Sequence, residues 1–209
     1  EFTGVVYDTA SVSTFHAIAA ARAAISERDV SEDGMVGPGA PRLCMYTSQE
    51  AHSSVEKAGI ALGLGRKGVR KIGVDGRFRM DVAELEAAIE SDKANGWRPF
   101  CVSATVGTTS TTSIDPIEAI SRICGKYGLW LHVDAAYAGA AAILPEKRDI
   151  LAGCEHADSL VMNPHKWMFT PVDFSALFCR RPDLLKRAFS LTPEYLRTPE
   201  GDHVTNYMD

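Results

Sequence analysis

The sequence predicts an α/β domain built on a mainly parallel sheet with helices on both faces, a three-layer α/β/α arrangement. Short apolar runs that are typical of buried strands alternate with longer segments whose apolar residues recur at helical spacing. This alternation favours a parallel sheet, because each crossover helix then covers one of its faces. With 209 residues, 45% of them hydrophobic, the chain is long enough for one substantial core.

The predicted elements alternate along most of the chain. The first is an alanine-rich helix over residues 11–26, entered from a turn at Thr9-Ala10-Ser11. Asp81 is an expected helix cap, and Pro116 and Pro182 are expected to open helices, because proline suits the first helical turn. The strands are predicted at 43–47, 69–72, 100–104, 128–133, 159–162 and 175–179, and the later helices at 51–62, 81–93, 116–127 and from 182 onward.

Two segments lack these periodic patterns. Residues 30–41 contain glycine and proline and are predicted to form a loop. From Thr192 the chain is polar and proline-rich and has no periodicity, so residues 192–209 are predicted to form a mobile segment and a truncated end, separate from a domain over residues 1–191. Both ends of the sequence look cut, which suggests a fragment of a longer polypeptide.

Composition argues against several classes of function. The net charge is -5 and there is no basic run, so a nucleic-acid partner is not expected. No apolar stretch is long enough to cross a bilayer and no signal-peptide pattern opens the sequence, so we expect a cytoplasmic protein. The five cysteines are odd in number and include no C-x-x-C pair, which predicts buried, reduced thiols and no metal site.

A lysine and an aspartate follow two of the predicted strands. Asp134 comes directly after residues 128–133, and Lys166 follows residues 159–162 within the motif Asn-Pro-His-Lys-Trp. A single lysine is most often a solvated surface charge, and an aspartate at a strand end is often a turn former. Ligands of open α/β sheets, however, bind outside the carboxyl ends of strands, so both side chains are expected at one edge. A Schiff-base lysine and an acidic partner for the ring nitrogen are what pyridoxal phosphate requires, and the pair predicts this cofactor.

Two further groups could surround such a ring. Ala10 and Ser11 open a predicted helix, where free backbone N–H groups favour a phosphate, although an ordinary serine cap would look the same. His52 precedes a predicted helix and could stack on a flat aromatic ring, or simply be a polar residue that opens the helix.

Two polar segments complete the candidate site. The hydroxyl-rich run from Thr105 to Thr112 follows a buried strand and could line the edge of the cofactor, or form only a turn. Asn163 and His165 flank the lysine. Either could donate to the phosphate, and His165 could instead orient the lysine, but both could equally be turn residues.

Taken together, these motifs resemble the group II pyridoxal-phosphate decarboxylases, and most closely their aromatic-L-amino-acid decarboxylase branch. The resemblance runs along nearly the whole chain. It is carried by A-H-S-S-V-E-K-A-G at 51–59, A-T-V-G-T-T at 104–109, L-H-V-D-A-A-Y-A-G at 131–139, N-P-H-K-W at 163–167 and P-E-Y-L at 193–196.

The resemblance implies the large domain of a fold-type-I pyridoxal-phosphate-dependent transferase, in a homodimer with active sites shared at the subunit interface. It assigns the Schiff base to Lys166, the ring nitrogen to Asp134, ring stacking to His52, and catalysis from a mobile loop to Tyr195. It also places Ala10, Ser11, Asn163 and His165 on the phosphate side and Thr105 and Ala136 against the cofactor face.

The implied reaction is the decarboxylation of an L-amino acid, with an aromatic substrate, to the amine and carbon dioxide. Tyr195 or His52 would return a proton to the α carbon. An aldehyde synthase of the same family is the main alternative, and the tyrosine at 195 favours decarboxylation over it. Histidine decarboxylase, glutamate decarboxylase and a non-catalytic homologue remain alternatives.

Overall fold

A computed structural model describes residues 2–25 and 29–189 of the chain. In these residues seven strands form one sheet in the order β1-β7-β6-β5-β4-β2-β3. The strands are β1 (Thr3–Tyr7), β2 (Leu43–Ser48), β3 (Val69–Ile72), β4 (Arg98–Thr105), β5 (Trp130–Asp134), β6 (Ser159–Met162) and β7 (Ser175–Cys179). Strands β3, β2, β4, β5 and β6 run parallel, whereas β7 is antiparallel to both of its neighbours.

Helices cover both faces of this sheet, which confirms the predicted three-layer arrangement. The helices are α1 (Ala10–Ala23), α2 (Val30–Asp33), α3 (Ser53–Ala61), α4 (Val82–Ala94), α5 (Ile117–Tyr127), α6 (Pro164–Trp167) and α7 (Pro182–Phe189). The predicted cap is present at Asp81, whose side chain accepts hydrogen bonds from the backbone N–H groups of Ala83 and Glu84. Pro116 directly precedes α5 and Pro182 is the first residue of α7, as predicted.

Two apolar clusters form the core, one on each face of the sheet. Along β5, the side chains of Leu131 and Val133 join α4 and α5 in one cluster, and Trp130 joins α1, α3 and α7 in the other. Successive residues of a strand point to opposite faces, so His132 and Asp134 lie on the α1 side with Trp130. All five cysteines are buried free thiols, as predicted.

Helix α1 is buried along most of its length against the centre of the sheet. Its alanines allow close approach, and polar side chains on the same face are paired rather than exposed. Ser13 hydrogen-bonds Ser175 of β7 at 2.8 Å between their hydroxyl oxygens, and Thr14 lies 3.4 Å from Nε2 of His132. These contacts hold the helix with its amino end toward the carboxyl edge of the parallel strands.

The structure departs from the sequence prediction in two places. Residues 3–7 form an edge strand paired antiparallel to β7, where no strand was predicted. Residues 30–33 form one helical turn within the predicted loop, since the Asp29 side chain accepts a hydrogen bond from the N–H of Ser31 and caps it. The segment 192–209 lies outside the described residues, and within them no helix is long and apolar enough to span a membrane.

Candidate active site

A cavity of about 160 Å³ lies at the carboxyl edge of the parallel strands. It forms where β4, β5 and β6 end side by side, with Thr105 in register with Asp134 and Asp134 in register with Val161. The amino end of α1 and the start of α3 close it from the α1 side. The lining residues are Thr9, Ala10, Ser11, His52, Ser54, Thr105, Gly107, Thr109, Asp134, Ala136, Tyr137, Asn163 and Lys166.

The amino end of α1 provides an anion-binding corner of this cavity. Thr9 caps the helix, and its hydroxyl oxygen accepts from the N–H of Val12 at 3.4 Å. Ala10 and Ser11 line the cavity with the first N–H groups of the helix, which have no partners inside the helix itself. Because the first turn contains no acidic residue, the positive end of the helix dipole is left available to a bound anion.

Asp134 projects from the end of β5 and is 6% exposed. One carboxylate oxygen accepts a hydrogen bond from the N–H of Ala136 at 3.0 Å, which fixes the side chain at the strand end. The rest of its hydrogen-bonding capacity is unused among the described residues. A fixed, nearly buried carboxylate of this kind is suited to pair with a protonated ring nitrogen.

Thr105 is held in place by a buried carboxylate that sequence analysis did not identify. Asp115 is 1% exposed, and its two oxygens accept from the backbone N–H groups of Thr105 at 2.8 Å and Met80 at 2.7 Å. Burial raises the pKa of this carboxyl group, although the two backbone hydrogen bonds oppose the shift. The hydrogen bond from the Thr105 N–H to Asp115 fixes the end of β4, where the Thr105 side chain lines the cavity.

Gly107 shows why the turn after β4 needs a glycine. Its φ is +88°, and a Cβ atom there would lie 2.6 Å from the Cβ of Ala138. A side chain at this position would therefore be strained by the backbone and blocked by the segment that follows β5. The close approach brings the hydroxyl-rich turn against the residues after Asp134.

His52 is both a helix cap and a wall of the cavity. Its Nδ1 accepts a hydrogen bond from the backbone N–H of Ser54 at 3.3 Å and lies 2.9 Å from the Ser54 hydroxyl oxygen. A backbone N–H can only donate, so Nδ1 keeps its lone pair and the proton of the neutral ring is on Nε2. His52 therefore opens the helix as a cap and also lines the cavity, where stacking on a cofactor ring stays a prediction, and the capping contacts orient the imidazole.

Lys166 lies in the single helical turn α6, which begins directly after Asn163. The lysine lines the cavity, and its amine has no hydrogen-bond or ion-pair partner within residues 2–25 and 29–189. Asn163 is 2% exposed and also lines the cavity. His165 does not line it. Its ring instead contacts the Asn163 amide at 3.1 Å and the backbone N–H of Phe174 at 2.8 Å.

Comparisons with known proteins identify the family of the chain. The family model described as the pyridoxal-dependent decarboxylase conserved domain matches residues 1–209. The chain belongs to this family.

Individual members of the pyridoxal-dependent decarboxylase family match over nearly the whole chain. Aromatic-L-amino-acid decarboxylase of Bos taurus is 44% identical over 98% of the chain and 42% of its own length. Histidine decarboxylase of Mus musculus is 40% identical over 98% of the chain and 31% of its own length. The crystal structure of Oryza sativa TDC with PLP and tryptamine superposes with a TM-score of 0.88 at 36% identity, covering 98% of this chain and 42% of that one. The chain thus spans less than half the length of these relatives.

The cavity fits the cofactor of this family, pyridoxal phosphate. Two buried polar side-chain atoms of cavity-lining residues, the hydroxyl of Thr105 and one end of the Asn163 amide, have no hydrogen-bond partner in the described residues. Buried polar atoms normally have hydrogen-bond partners. Two unpaired ones beside the amino end of a helix therefore suit a ligand rich in polar atoms. When bound, the cofactor would be held by Lys166 at its aldehyde carbon, by Asp134 at its ring nitrogen and by the amino end of α1 at its phosphate.

Sequence analysis missed some members of the site and included one that the structure cannot place. Ser54 and Tyr137 line the cavity, and each lies within two residues of a predicted site residue, which is the signal that could have found them. The ring of Tyr137 stacks on that of Trp167, with the ring centres 5.5 Å apart, so the segments after β5 and β6 contact each other beside the cavity. Tyr195 lies outside the described residues.

Proposed function

We propose that this chain carries the cofactor site of an enzyme that decarboxylates an aromatic L-amino acid to the amine and carbon dioxide. The observation that carries the proposal is that Lys166, Asp134 and the amino end of α1 line one small cavity. These are the three groups needed to hold pyridoxal phosphate at its aldehyde, its ring nitrogen and its phosphate. The bound cofactor supplies the sink for the electrons that remain when carbon dioxide leaves.

Each side chain of the cavity has a defined task in this reaction. The Lys166 amine would hold the bound cofactor at its aldehyde carbon, as a nucleophile at the end of the cavity nearest α6. The Asp134 carboxylate keeps a proton on the ring nitrogen, because an opposite charge at hydrogen-bond range raises that nitrogen's pKa. His52, oriented by Ser54, presents its ring to one side of the cavity and can hold a proton on Nε2.

The proton that completes the reaction is assigned to Tyr195. A phenol placed at the α carbon is a competent donor, and the resemblance puts a catalytic tyrosine at this position. The role proposed for residues 192–209, which lie outside the described residues, is to exclude water and oxygen from the site as a unit separate from the large domain over residues 1–191. His52 together with a water is the alternative donor.

A homodimer with shared active sites is part of the proposal. Four large apolar or aromatic side chains are exposed within or just after the segments that bear Ala136 and Lys166, namely Tyr137, Trp167, Phe169 and Val172. Phe169 is fully exposed and Val172 is 74% exposed. Clustered exposed apolar residues mark interaction surfaces, and a second subunit at this place would also cover the cavity. A cytoplasmic location remains a prediction.

The substrate assignment is tested by product analysis of the full protein that contains this chain. Phenylalanine, tyrosine, tryptophan, dihydroxyphenylalanine, histidine and glutamate would be supplied separately, and amine and carbon dioxide quantified. We expect amine from aromatic substrates at a rate at least about tenfold above histidine, because an extra or missing apolar contact is worth roughly 1–3 kcal/mol. Amine chiefly from histidine or glutamate would replace the aromatic assignment. No product from any of them, with cofactor bound, would favour a non-catalytic homologue.

An aldehyde synthase is the second candidate function, since such an enzyme needs the same cofactor site. The two outcomes differ in whether the α carbon is protonated before oxygen reacts. Tyr195→Phe removes the proposed donor, so amine production should fall steeply while aldehyde, ammonia and peroxide rise. Undiminished amine from this variant would remove Tyr195 from the mechanism, and aldehyde as the main product of the unaltered protein would favour the synthase.

A further inference from the structure

The imidazole of His165 is placed between two groups that constrain its protonation. Its Nδ1 lies 2.8 Å from the backbone nitrogen of Phe174, and its Nε2 lies 3.1 Å from the Asn163 side-chain amide. A backbone N–H is a donor with no acceptor capacity, so Nδ1 must offer a lone pair to Phe174. The single proton of the neutral ring is then on Nε2.

This tautomer determines which end of the Asn163 amide faces the ring. A protonated Nε2 donates, so the atom opposite it must be the amide oxygen and not the amide nitrogen. The two ends of a carboxamide have nearly the same shape and exchange by a rotation of half a turn, so donor and acceptor roles decide the orientation. The NH2 group therefore occupies the position on the far side of the amide from His165.

That far position is buried and has no hydrogen-bond partner among the described residues. Asn163 itself is 2% exposed and lines the cavity together with Ser11 and Lys166. Two N–H donors that are buried without acceptors are unfavourable, because their desolvation is not compensated. An anionic group bound in the cavity would supply the missing acceptor.

We propose that His165 is a positioning residue that fixes the Asn163 amide so that its NH2 group donates to the phosphate of pyridoxal phosphate. The chain of contacts runs from the Phe174 N–H to His165 Nδ1, and from His165 Nε2–H to the Asn163 oxygen. His165 thereby acts on the cofactor without touching it, in agreement with its absence from the cavity wall. The proposal rests on the cofactor part of the proposed function and not on the identity of the amino-acid substrate.

Two substitutions of His165 separate its two contacts. The amide nitrogen of His165→Gln can reach the position of Nε2 and keep a donor toward Asn163. The amide of His165→Asn reaches only the position of Nδ1, so it keeps the contact with Phe174 and loses the donor toward Asn163. The full protein, freed of cofactor, would be titrated separately with pyridoxal phosphate and with pyridoxal, which lacks the phosphate. The absorbance of the bound ring would report binding and give the two affinities.

We expect His165→Asn to weaken pyridoxal phosphate binding by about tenfold and pyridoxal binding by less than about twofold, since one hydrogen bond to a charged group is lost. His165→Gln should bind pyridoxal phosphate within about threefold of the unaltered protein. In an Asn163→Ala background, His165→Asn should add no further loss, because the two residues act on one contact. Equal losses for both ligands, or equal losses in the Asn and Gln variants, would overturn the proposal.

Nitrogen NMR of the His165 ring gives an independent result. The proposal requires an unprotonated Nδ1 and a protonated Nε2 in the neutral ring, and a protonated Nδ1 would refute it. Because neither measurement includes an amino-acid substrate, a protein that binds the cofactor normally but releases no amine would count against the proposed function alone.

Discussion

The two edges of the sheet carry cavities of very different size and character. At the amino edge, beside the starts of β4 and β5 and the ends of α1 and α5, a cavity of about 610 Å³ is lined by basic side chains that include Arg98, Arg122 and Arg181. At the carboxyl edge the cavity is only about 160 Å³, yet it contains the lysine, the aspartate and the helix amino end. The smaller cavity is the one that fits the cofactor.

The two edges differ in the backbone groups that they present to a ligand. Three adjacent parallel strands end at the carboxyl edge, and α1 begins there, so rigid backbone presents unpaired N–H groups and short polar side chains to one point. At the amino edge the helices end, and their last turns present carbonyl groups, the negative end of the dipole. Cavity volume therefore does not locate the site in this protein, whereas the direction of its strands and helices does.

The largest expected effect at the carboxyl edge is that of Lys166→Ala. Losing the amine that binds the aldehyde should lower the rate of amine production by roughly a thousandfold or more, as for other covalent catalytic groups. Borohydride reduction followed by peptide mapping should label Lys166 in the unaltered protein and give no label in the variant. Lys147→Ala, in an exposed turn after β5, is the matched control. A label on another lysine would remove Lys166 from its proposed role.

Asp134→Asn should have the next largest effect on the reaction. The neutral amide no longer favours a proton on the ring nitrogen, so the rate should fall by about a hundredfold, in the range seen for the loss of one well-placed electrostatic contact. Cofactor should still bind, because the α1 corner and Lys166 remain. Equilibrium binding and single-turnover rates would be measured together, and an unchanged rate would contradict the assignment.

Low pH should lower the free energy of unfolding of the protein through His132, a buried residue of β5. Burial lowers the pKa of this histidine to about 4, with the nearby Asp134 opposing the shift. The unfolded chain takes up a proton near pH 6.5 and the folded one does not, so stability falls as the pH drops from about 6.5 to about 4, by about 3 kcal/mol in all. Denaturant unfolding between pH 7 and pH 4 measures this loss.

Two variants isolate the contribution of His132. His132→Asn cannot take up a proton, so its unfolding free energy should lose about 3 kcal/mol less than that of the unaltered protein over the same pH interval. Ser159→Ala removes the hydroxyl that lies 2.9 Å from Nδ1 but keeps the imidazole buried, so the pH dependence should remain. The same pH dependence in all three proteins would exclude His132 as its source.

The smallest effect is expected at the amino edge. The guanidinium of the exposed Arg181 lies 5.5 Å from the centre of the Trp130 ring, and such a contact at an exposed site contributes about 0.5–1 kcal/mol to stability. Arg181→Ala should therefore lower the unfolding free energy by up to about 1 kcal/mol and leave the affinity for pyridoxal phosphate within about twofold. Arg122→Ala, on the wall of the same cavity, serves as a second test. A large loss of cofactor affinity in either variant would contradict the assignment of the cofactor site to the carboxyl edge alone.

Local sequence patterns were enough to predict much of the fold. The strands at 69–72, 159–162 and 175–179 have the predicted bounds. Short apolar runs with turn residues on either side are typical of buried strands, so the sequence itself indicates where each strand begins and ends. They also predicted that Asp134 and Lys166 would share an edge, since the carboxyl ends of parallel strands must lie together. Local patterns also offered Ala10, Ser11 and His52 as candidates beside their ordinary structural roles, and all three line the same cavity.

Tertiary structure decided what depends on partners distant in sequence. The pairing of residues 3–7 with β7 joins segments more than 160 positions apart, and no local periodicity records such a partner. The contacts of Asp115 with Thr105 and of His165 with Phe174 join residues only ten and nine positions apart, but they too depend on how the intervening loop folds, which no local pattern shows. Sequence by itself determined which segments are buried and which end of each strand bears polar residues. The folded chain decided which donor meets which acceptor, because hydrogen bonding depends on distances and directions that a linear pattern does not contain.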